Sequence, residues 1–117
     1  LDTVLLVAPT TSAERLPRLL ARCRGFVYCL ARTGVTGRAD GYAGSLDERL
    51  AAVRAHTRLP VAVGFGISNS ADAARLRGRV DAAIVGAAFM RLVHEDPAQG
   101  VSARVAALAT ELVGALR

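Results

Sequence analysis

The chain has 117 residues, 52% of them hydrophobic, a mean hydropathy of +0.33 and a formal net charge of +5. This length predicts one small domain, residues 1–117, with a single core, and the composition excludes an intrinsically disordered chain. No apolar run approaches the length of a membrane span, and we expect no basic-then-apolar leader before Leu1. Because the first residue is Leu rather than Met, we expect an N-terminal portion to be missing.

All 15 basic residues are arginines, spread along helical patterns, and only five residues are aromatic. A pI near 10.5 would otherwise favour nucleic acid as a partner, but this distribution argues against it. The absence of lysine excludes aldol chemistry through a Schiff base. Cys23 and Cys29 lack the spacing of a metal site, so we expect two reduced, buried thiols in a cytoplasmic protein and no metal.

Strands alternate with helices in the hydrophobic pattern of the whole chain. Apolar runs predict strands at residues 3–8, 26–31, 61–64 and 81–86, and the runs at 3–8 and 61–64 predict strands buried on both faces. The predicted helices end before Gly25 and before Pro60, cover residues 71–77 and 89–94, and finish with residues 101–116. This alternation implies a parallel sheet with right-handed crossovers.

Two sequence pairs have the spacing of a helix capping box. Thr11 with Glu14 precedes the first helix, and Ser45 with Glu48 precedes the second. Pro17 lies near the first of these starts and favours a later beginning for the regular helix. Between the second strand and the second helix, residues 32–44 contain four glycines without periodicity, which predicts a mobile, functional loop.

The glycine-rich turns follow predicted strands. Gly64 and Gly66 end the third strand and Gly86 ends the fourth, each before a helix start. Backbone N–H groups in such turns suit a phosphate, although tight turns without a ligand use the same residues. Asn69 occupies the position that a third Rossmann glycine would need.

Ligands of parallel α/β proteins bind at the carboxyl ends of the strands, where all these turns lie. Two glycine turns on the last two strands, followed by a short extra helix, match the phosphate site of a (β/α)8 barrel. Such a barrel needs about 250 residues, so four β–α units are about half of one. The predicted fold class is therefore α/β, a parallel (β/α)4 half of a TIM barrel.

Specific segments resemble the tryptophan synthase alpha subunit. Residues 32–37, Arg-Thr-Gly-Val-Thr-Gly, look like the loop after strand six of that family, and residues 64–68 are similar to its strand-seven motif. Residues 7–10 and 25–28 resemble the end of strand five and the start of strand six. The resemblance covers the whole chain and identifies it with strands five to eight.

That resemblance implies cleavage of indole-3-glycerol phosphate to indole and glyceraldehyde 3-phosphate in tryptophan biosynthesis, a carbon–carbon lyase reaction. It implies a beta subunit that carries pyridoxal phosphate, and no cofactor in this chain. It also implies roles in phosphate and substrate binding for Tyr28, Gly37, Gly66, Gly86 and Ala87. Ala87 stands where the family commonly has Ser, which removes one hydroxyl contact to phosphate.

The closing loop of the family corresponds to Arg32, Thr33, Gly34, Val35 and Thr36, with Thr36 tied to a catalytic Asp. Purely structural roles are the alternatives: Tyr28 as a core aromatic, Arg32 in a surface ion pair, and Thr33 and Thr36 as turn residues.

The family's catalytic Glu and Asp belong to the first half of the barrel, so this chain has no catalytic residue and alone should be inactive. The carboxylates of this chain are predicted to lie in loops, at helix caps or at strand starts; they include Asp40, Asp2 and Asp81. Three hypotheses follow: half of an enzyme, an isolated phosphate-binding module, or a half-barrel that associates with itself in place of the missing N-terminal half.

Overall fold

The computed structural model describes residues 1–31, 46–64, 66–95 and 100–117. The strands are β1 (Leu5–Val7), β2 (Val27–Leu30), β3 (Val61–Gly64) and β4 (Ala82–Ile84). The helices are α1 (Arg15–Leu20), α2 (Leu46–His56), α3 (Ser70–Ala74), α4 (Ala87–Glu95) and α5 (Val101–Leu116). The predicted alternation is confirmed, and the last helix has its predicted bounds.

The four strands form one parallel sheet in the order β1-β2-β3-β4. Each strand therefore lies beside the next one along the chain, with a helix in every connection that the structure describes. The register aligns Leu6 with Tyr28, Tyr28 with Ala62, and Ala62 with Ala82. This sequential parallel order is the one expected for part of a (β/α)8 barrel and differs from a doubly wound sheet, whose order reverses.

One face of the sheet is packed against the helices. Because side chains alternate along a strand, aligned Val7, Cys29 and Val63 share this face, and all three are buried. The helices contribute Leu16, Leu20, Leu50, Val53, Ala73 and Leu112 to the same core, and the turn after α3 contributes Leu76. The buried thiols of Cys23 and Cys29 are reduced, as the sequence predicted.

The opposite face, which we call the open face, carries Leu6, Tyr28, Leu30, Ala62, Gly64, Ala82 and Ile84. Its central strand β3 is buried throughout, which confirms the prediction of a doubly buried strand there. The same prediction is wrong for β1 in this structure, because Leu6 is 49% exposed; Ala82 of β4 is exposed as well. Both strands lie at the edges of the described sheet, where only one neighbour shields each of them.

The first predicted capping box does not form. The hydroxyl of Thr11 instead accepts a hydrogen bond from the Ala8 N–H at 3.0 Å, and Glu14 makes no side-chain cap. Helix α1 begins at Arg15, later than the box suggested, in agreement with the position of Pro17. Ser45 lies outside the described residues, so the second box stays a prediction.

Two helices differ from the predicted lengths. Helix α3 ends at Ala74, short of the predicted residue 77, and turns continue to Arg79 beyond it. Helix α4 begins at Ala87, two residues earlier than predicted. Its earlier start brings its first turn directly against the glycine turn after β4.

A carboxylate joins the amino-terminal ends of the two last strands. The Asp81 Oδ2 accepts hydrogen bonds from the buried Val61 N–H at 2.8 Å and from Arg54 at 3.2 Å. The Asp81 N–H in turn donates to the Val61 carbonyl at 3.0 Å. Asp81 thus lies at the edge opposite to the glycine turns, as predicted, and holds β3, β4 and α2 in register.

We predict that Asp81→Ala lowers the free energy of unfolding by about 1–3 kcal/mol, because it leaves the buried Val61 N–H without its acceptor. Asp47→Ala is the matched control, since Asp47 pairs with Arg79 but is 69% exposed. Its loss should cost at most about 1 kcal/mol. Urea unfolding measures both, and equal effects of the two variants would contradict the proposed role of Asp81.

Candidate functional site

The glycine turns after β3 and β4 lie side by side at the carboxyl edge of the sheet. Gly64 and Ile84 are partners in the register, and Gly66 and Gly86 each follow their strand partner by two residues. Both glycines are exposed, and a Cβ added at either one meets no heavy atom within 4 Å. The two turns therefore border open space on the same edge, as a small anionic ligand would require.

The backbone conformations at Gly66 and Gly86 differ. Gly66 has φ +83°, in the left-handed region that other residues rarely adopt, so the turn after β3 depends on glycine there. Gly86 carries no positive φ, and its carbonyl accepts the Met90 N–H at 3.1 Å as the first hydrogen bond of α4. Ala87 is therefore the first helical residue, and the N–H groups of this first turn lie next to Gly86.

A carboxylate closes the turn that follows Gly66. The Asp72 Oδ2 accepts the backbone N–H and the hydroxyl of Ser68, each at 3.0 Å, while the Asn69 side chain accepts the Asp72 N–H at 2.9 Å. Both hydrogen bonds from Ser68 hold the pKa of Asp72 below its usual range, and the one from the backbone N–H has the larger effect. The Ser68 N–H is thus already engaged by Asp72.

Tyr28 lies on the open face and packs over Gly64. A Cβ built on Gly64 would lie 2.5 Å from Tyr28 Cε2 and 2.8 Å from Cζ, closer than real carbon contacts allow. Gly64 has no positive φ, so a glycine is needed here because the Tyr28 ring approaches closely and not because the backbone turns. Sequence reasoning missed this role, because Tyr28 and Gly64 become diagonal neighbours only through the β2–β3 register.

Arg49 is a second feature that the sequence did not reveal. Its guanidinium donates to the Leu30 carbonyl at 2.9 Å, at the carboxyl end of β2. Burial raises the pKa of the neighbouring Cys29 thiol, and Arg49 opposes that shift only in part. Cys29 is thus a packed thiol rather than a nucleophile, and Arg49 fixes the strand end from which the chain leaves toward residue 32.

Part of the predicted site lies outside the described residues: Arg32, Thr33, Gly34, Val35, Thr36 and Gly37. The predicted site residues that the structure does describe, Tyr28, Gly66, Gly86 and Ala87, all belong to the open face or the carboxyl edge. Within the described ranges, no group of three His, Cys, Asp or Glu side chains could hold a metal ion. Those ranges also contain no helix that is long and apolar enough to cross a membrane.

A family model described as tryptophan synthase alpha chain matches residues 1–116. The chain belongs to the tryptophan synthase alpha family. Its curated relatives in this family include the alpha chain of Solibacter usitatus, 47% identical over 96 residues that are 82% of this chain and 36% of the relative. The alpha chain of Methanosarcina mazei is 46% identical over 113 residues, 96% of this chain and 40% of the relative. The chain spans about two fifths of the length of these alpha chains.

Solved structures of the tryptophan synthase alpha family share the fold. A Mycobacterium tuberculosis tryptophan synthase matches with a TM-score of 0.80 and 37% identity, over 100% of this chain and 42% of that chain. The alpha subunit from Campylobacter jejuni matches with a TM-score of 0.77 and 32% identity, over 96% of this chain and 44% of that chain. The described fold is therefore a parallel (β/α)4 part of the alpha-family barrel, as the sequence resemblance implied.

In this alpha-family chain, we predict that Gly64→Ala lowers the free energy of unfolding by about 1–3 kcal/mol, because Tyr28 or the β3 backbone must move. Gly114→Ala is the matched control: Gly114 is helical, and an added Cβ there meets nothing within 4 Å. It should stabilise the chain by about 0.5–1 kcal/mol. Chemical unfolding tests both variants, and a Gly64→Ala loss that persists in a Tyr28→Ala background would contradict the contact.

Protonation of Asp72 should weaken the turn after Gly66. Because the folded pKa is lower than the unfolded value of about 3.9, Asp72 stabilises the fold above that pH. This contribution is lost as the pH falls through the folded pKa. We predict that Ser68→Ala raises the Asp72 pKa toward its usual range, measured by a carboxyl NMR titration.

Ser70→Ala is the control for this titration, since the described structure has no hydrogen bond between the Ser70 hydroxyl and Asp72. An equal shift of the Asp72 pKa in both variants would contradict the role of Ser68.

Proposed function

We propose that this chain is the phosphate-binding half of a tryptophan synthase alpha-type lyase that cleaves indole-3-glycerol phosphate to indole and glyceraldehyde 3-phosphate. The observation that carries the proposal is the pair of turns at Gly66 and Gly86, at equal offsets from aligned strands and facing open space. Family membership supports the identity of the proposed reaction, and the position of these two turns supports them as the proposed phosphate site.

The substrate phosphate would be held mainly by backbone N–H groups. Gly66 and Gly86 would contribute from the two described turns, and Gly37 from the loop after β2. The first turn of α4 would add a favourable dipole, since its N–H groups have no partner inside the helix. With Ala at position 87, no side-chain hydroxyl assists there, so the backbone groups would carry the phosphate contacts.

The indole ring would lie against the open face. Tyr28 is half-buried there, and its ring covers Gly64 at the carboxyl end of the sheet. It would form one wall of the substrate pocket beneath the phosphate. Residues 32–36 would close over the bound substrate, and Arg49 would keep the β2 end in place for that closure.

The reaction itself needs groups that this chain does not supply. Cleavage breaks the bond between indole C3 and the glycerol carbon; C3 gains a proton, and the adjacent hydroxyl loses one as it becomes the aldehyde. Two positioned acid–base groups are therefore required. Among the described carboxylates, Asp81 and Asp72 are engaged in structural hydrogen bonds. The catalytic Glu and Asp would come from an N-terminal half-barrel, and this chain alone would be inactive.

The remaining features follow from the same proposal. No cofactor would bind this chain, because the retro-aldol step is acid–base chemistry. Indole would pass to a beta subunit that carries pyridoxal phosphate, and the complex would work in the cytoplasm.

An indole-release assay tests the proposal, with the chain alone and then with a separately produced N-terminal half that carries the Glu and Asp. We expect no turnover from the chain alone and turnover from the mixture. Activity of the chain alone would overturn the placement of the acid–base groups. Absence of turnover from a mixture whose two halves are shown to associate would overturn the proposed function. The alternative would then be an isolated phosphate-binding module.

A matched pair of variants tests the phosphate site within the active mixture. Ala87→Asp puts a carboxylate in the first turn of α4 beside Gly86, whereas Ala103→Asp puts one in the first turn of α5; both positions are exposed. We expect Ala87→Asp to raise KM about tenfold or more, equivalent to ~1.4 kcal/mol, and Ala103→Asp to leave it unchanged. An unchanged KM for Ala87→Asp would place the phosphate elsewhere.

A further inference from the structure

We propose that Arg104 is a positioning residue of the phosphate site: from the first turn of α5, it holds α4 in the direction that aims the first turn of α4 at the substrate phosphate. The inference rests on the proposed function, because it assigns a support to the phosphate site proposed at Gly66 and Gly86. Arg104 itself would not touch the substrate. Three features carry the inference: the hydrogen bond from Arg104 to α4, the sparse packing of α4, and the unfavourable place of Arg104 in its own helix.

A side-chain hydrogen bond joins the last two helices. The Nη2 of Arg104 donates to the Leu92 carbonyl at 3.1 Å, and the Arg104 side chain is half-buried. Leu92 is one of the last four residues of α4, and the carbonyl groups of these residues lack a partner within an α-helix. A guanidinium at this end also complements the partial negative charge of the helix terminus. Arg104 therefore holds the end of α4 that is opposite to the proposed phosphate site.

Few other contacts fix the direction of α4. Its first turn is anchored by Ala88, which is buried, and by Phe89, which packs against the core. Beyond that turn, Met90 and Val93 are exposed, and a cleft of about 390 Å³ lies between α4 and α5. Among the side chains that the structure describes outside α4, Arg104 alone donates a hydrogen bond to this helix. Without that bond, α4 would pivot about its first turn.

Arg104 occupies an unfavourable position in its own helix. Helix α5 begins at Val101, and the Arg104 N–H donates to the Gly100 carbonyl at 3.0 Å as the first hydrogen bond of the helix. A cation in the first turn of a helix opposes the helix dipole, and the first turn of α5 has no acidic residue to offset it. The arginine is therefore better explained by its contact with the carboxyl end of α4 than by the stability of α5.

The hydrogen bond acts at a distance from the phosphate. Leu92 lies five residues after Ala87, so about 7–8 Å along the helix axis separates the anchored carbonyl from the first residue of α4. Arg104 fixes one end of α4 and Ala88 the other, and the line between these two points sets the direction of the N–H groups beside Gly86. A hydrogen bond weakens steeply when its donor turns away from the acceptor. Loss of Arg104 should therefore weaken phosphate binding without removing any group that contacts the phosphate.

Steady-state kinetics of the mixture with the N-terminal half tests this role with two arginine variants. Arg104→Met removes the guanidinium and keeps an apolar stem. Arg77→Met is the matched control, because the Arg77 side chain donates to the Ala115 carbonyl at 3.0 Å, at the other end of α5. We expect Arg104→Met to raise KM for indole-3-glycerol phosphate about fivefold with little change in kcat, since one hydrogen bond that supports substrate binding is lost. Arg77→Met should leave KM unchanged.

The outcomes separate this inference from the proposed function. Equal KM values for Arg104→Met and Arg77→Met, both raised or both unchanged, would overturn the role of Arg104 and leave the proposed function in place. A wild-type mixture without turnover would overturn both.

Hydrogen exchange in the same mixture gives a readout that does not depend on turnover. Arg104→Met should speed the exchange of the α4 amides relative to the β3 amides, whereas Arg77→Met should not. Unchanged α4 exchange in a folded Arg104→Met variant would overturn the proposal. Arg104→Gln, with a shorter and uncharged polar side chain, carries both tests if circular dichroism shows that Arg104→Met does not fold.

Discussion

The parallel pairing of β2 with β3 is the constraint on which the rest of this structure depends. It aligns Val27 with Val61 and Cys29 with Val63, so that four buried side chains face the helices together. A shift by one residue would exchange the two faces and expose this core, which is why such a register is strongly specified. The same alignment puts Tyr28 over Gly64, and there the absence of a Cβ is required. The core and the contact between Tyr28 and Gly64 are therefore two consequences of one register.

The two ends of the sheet are stabilised by different means. At the amino edge, the Asp81 carboxylate joins two strands and a helix, and its neighbourhood is committed to structure. At the carboxyl edge, glycine turns follow β3 and β4, and Asp72 and Arg49 hold the turn after Gly66 and the end of β2. These two side chains leave the surface of the glycine turns uncovered. The Asp81 contacts and the proposed ligand site thus lie at opposite edges of the sheet.

Half a barrel faces a physical difficulty that a whole barrel avoids. Closure of a barrel pairs every strand edge and fills its interior with side chains, but the described sheet has two edges and one uncovered apolar face. Belonging to the tryptophan synthase alpha family explains why this face is apolar, since the relatives are more than twice as long as this chain.

The sequence by itself determined the order of the elements, the parallel sheet, the reduced buried thiols, the family and the carboxyl-edge location of Gly66 and Gly86. These depend on local periodicity, on strand–helix alternation and on short motifs, all of which are readable along the chain. It erred where another local contact or the position of a strand in the sheet overrides the pattern. Thr11 accepts a hydrogen bond from Ala8, just after β1, instead of capping α1, and Leu6 is exposed because its apolar run lies at an edge of the described sheet.

Only the tertiary structure decided the roles of Gly64, Arg49 and Asp81. Gly64 is required by a ring that comes from 36 positions earlier, Arg49 reaches a carbonyl 19 residues away, and Asp81 accepts an N–H 20 residues away. Such partners are brought together by strand register and helix packing. No local pattern in the sequence encodes them.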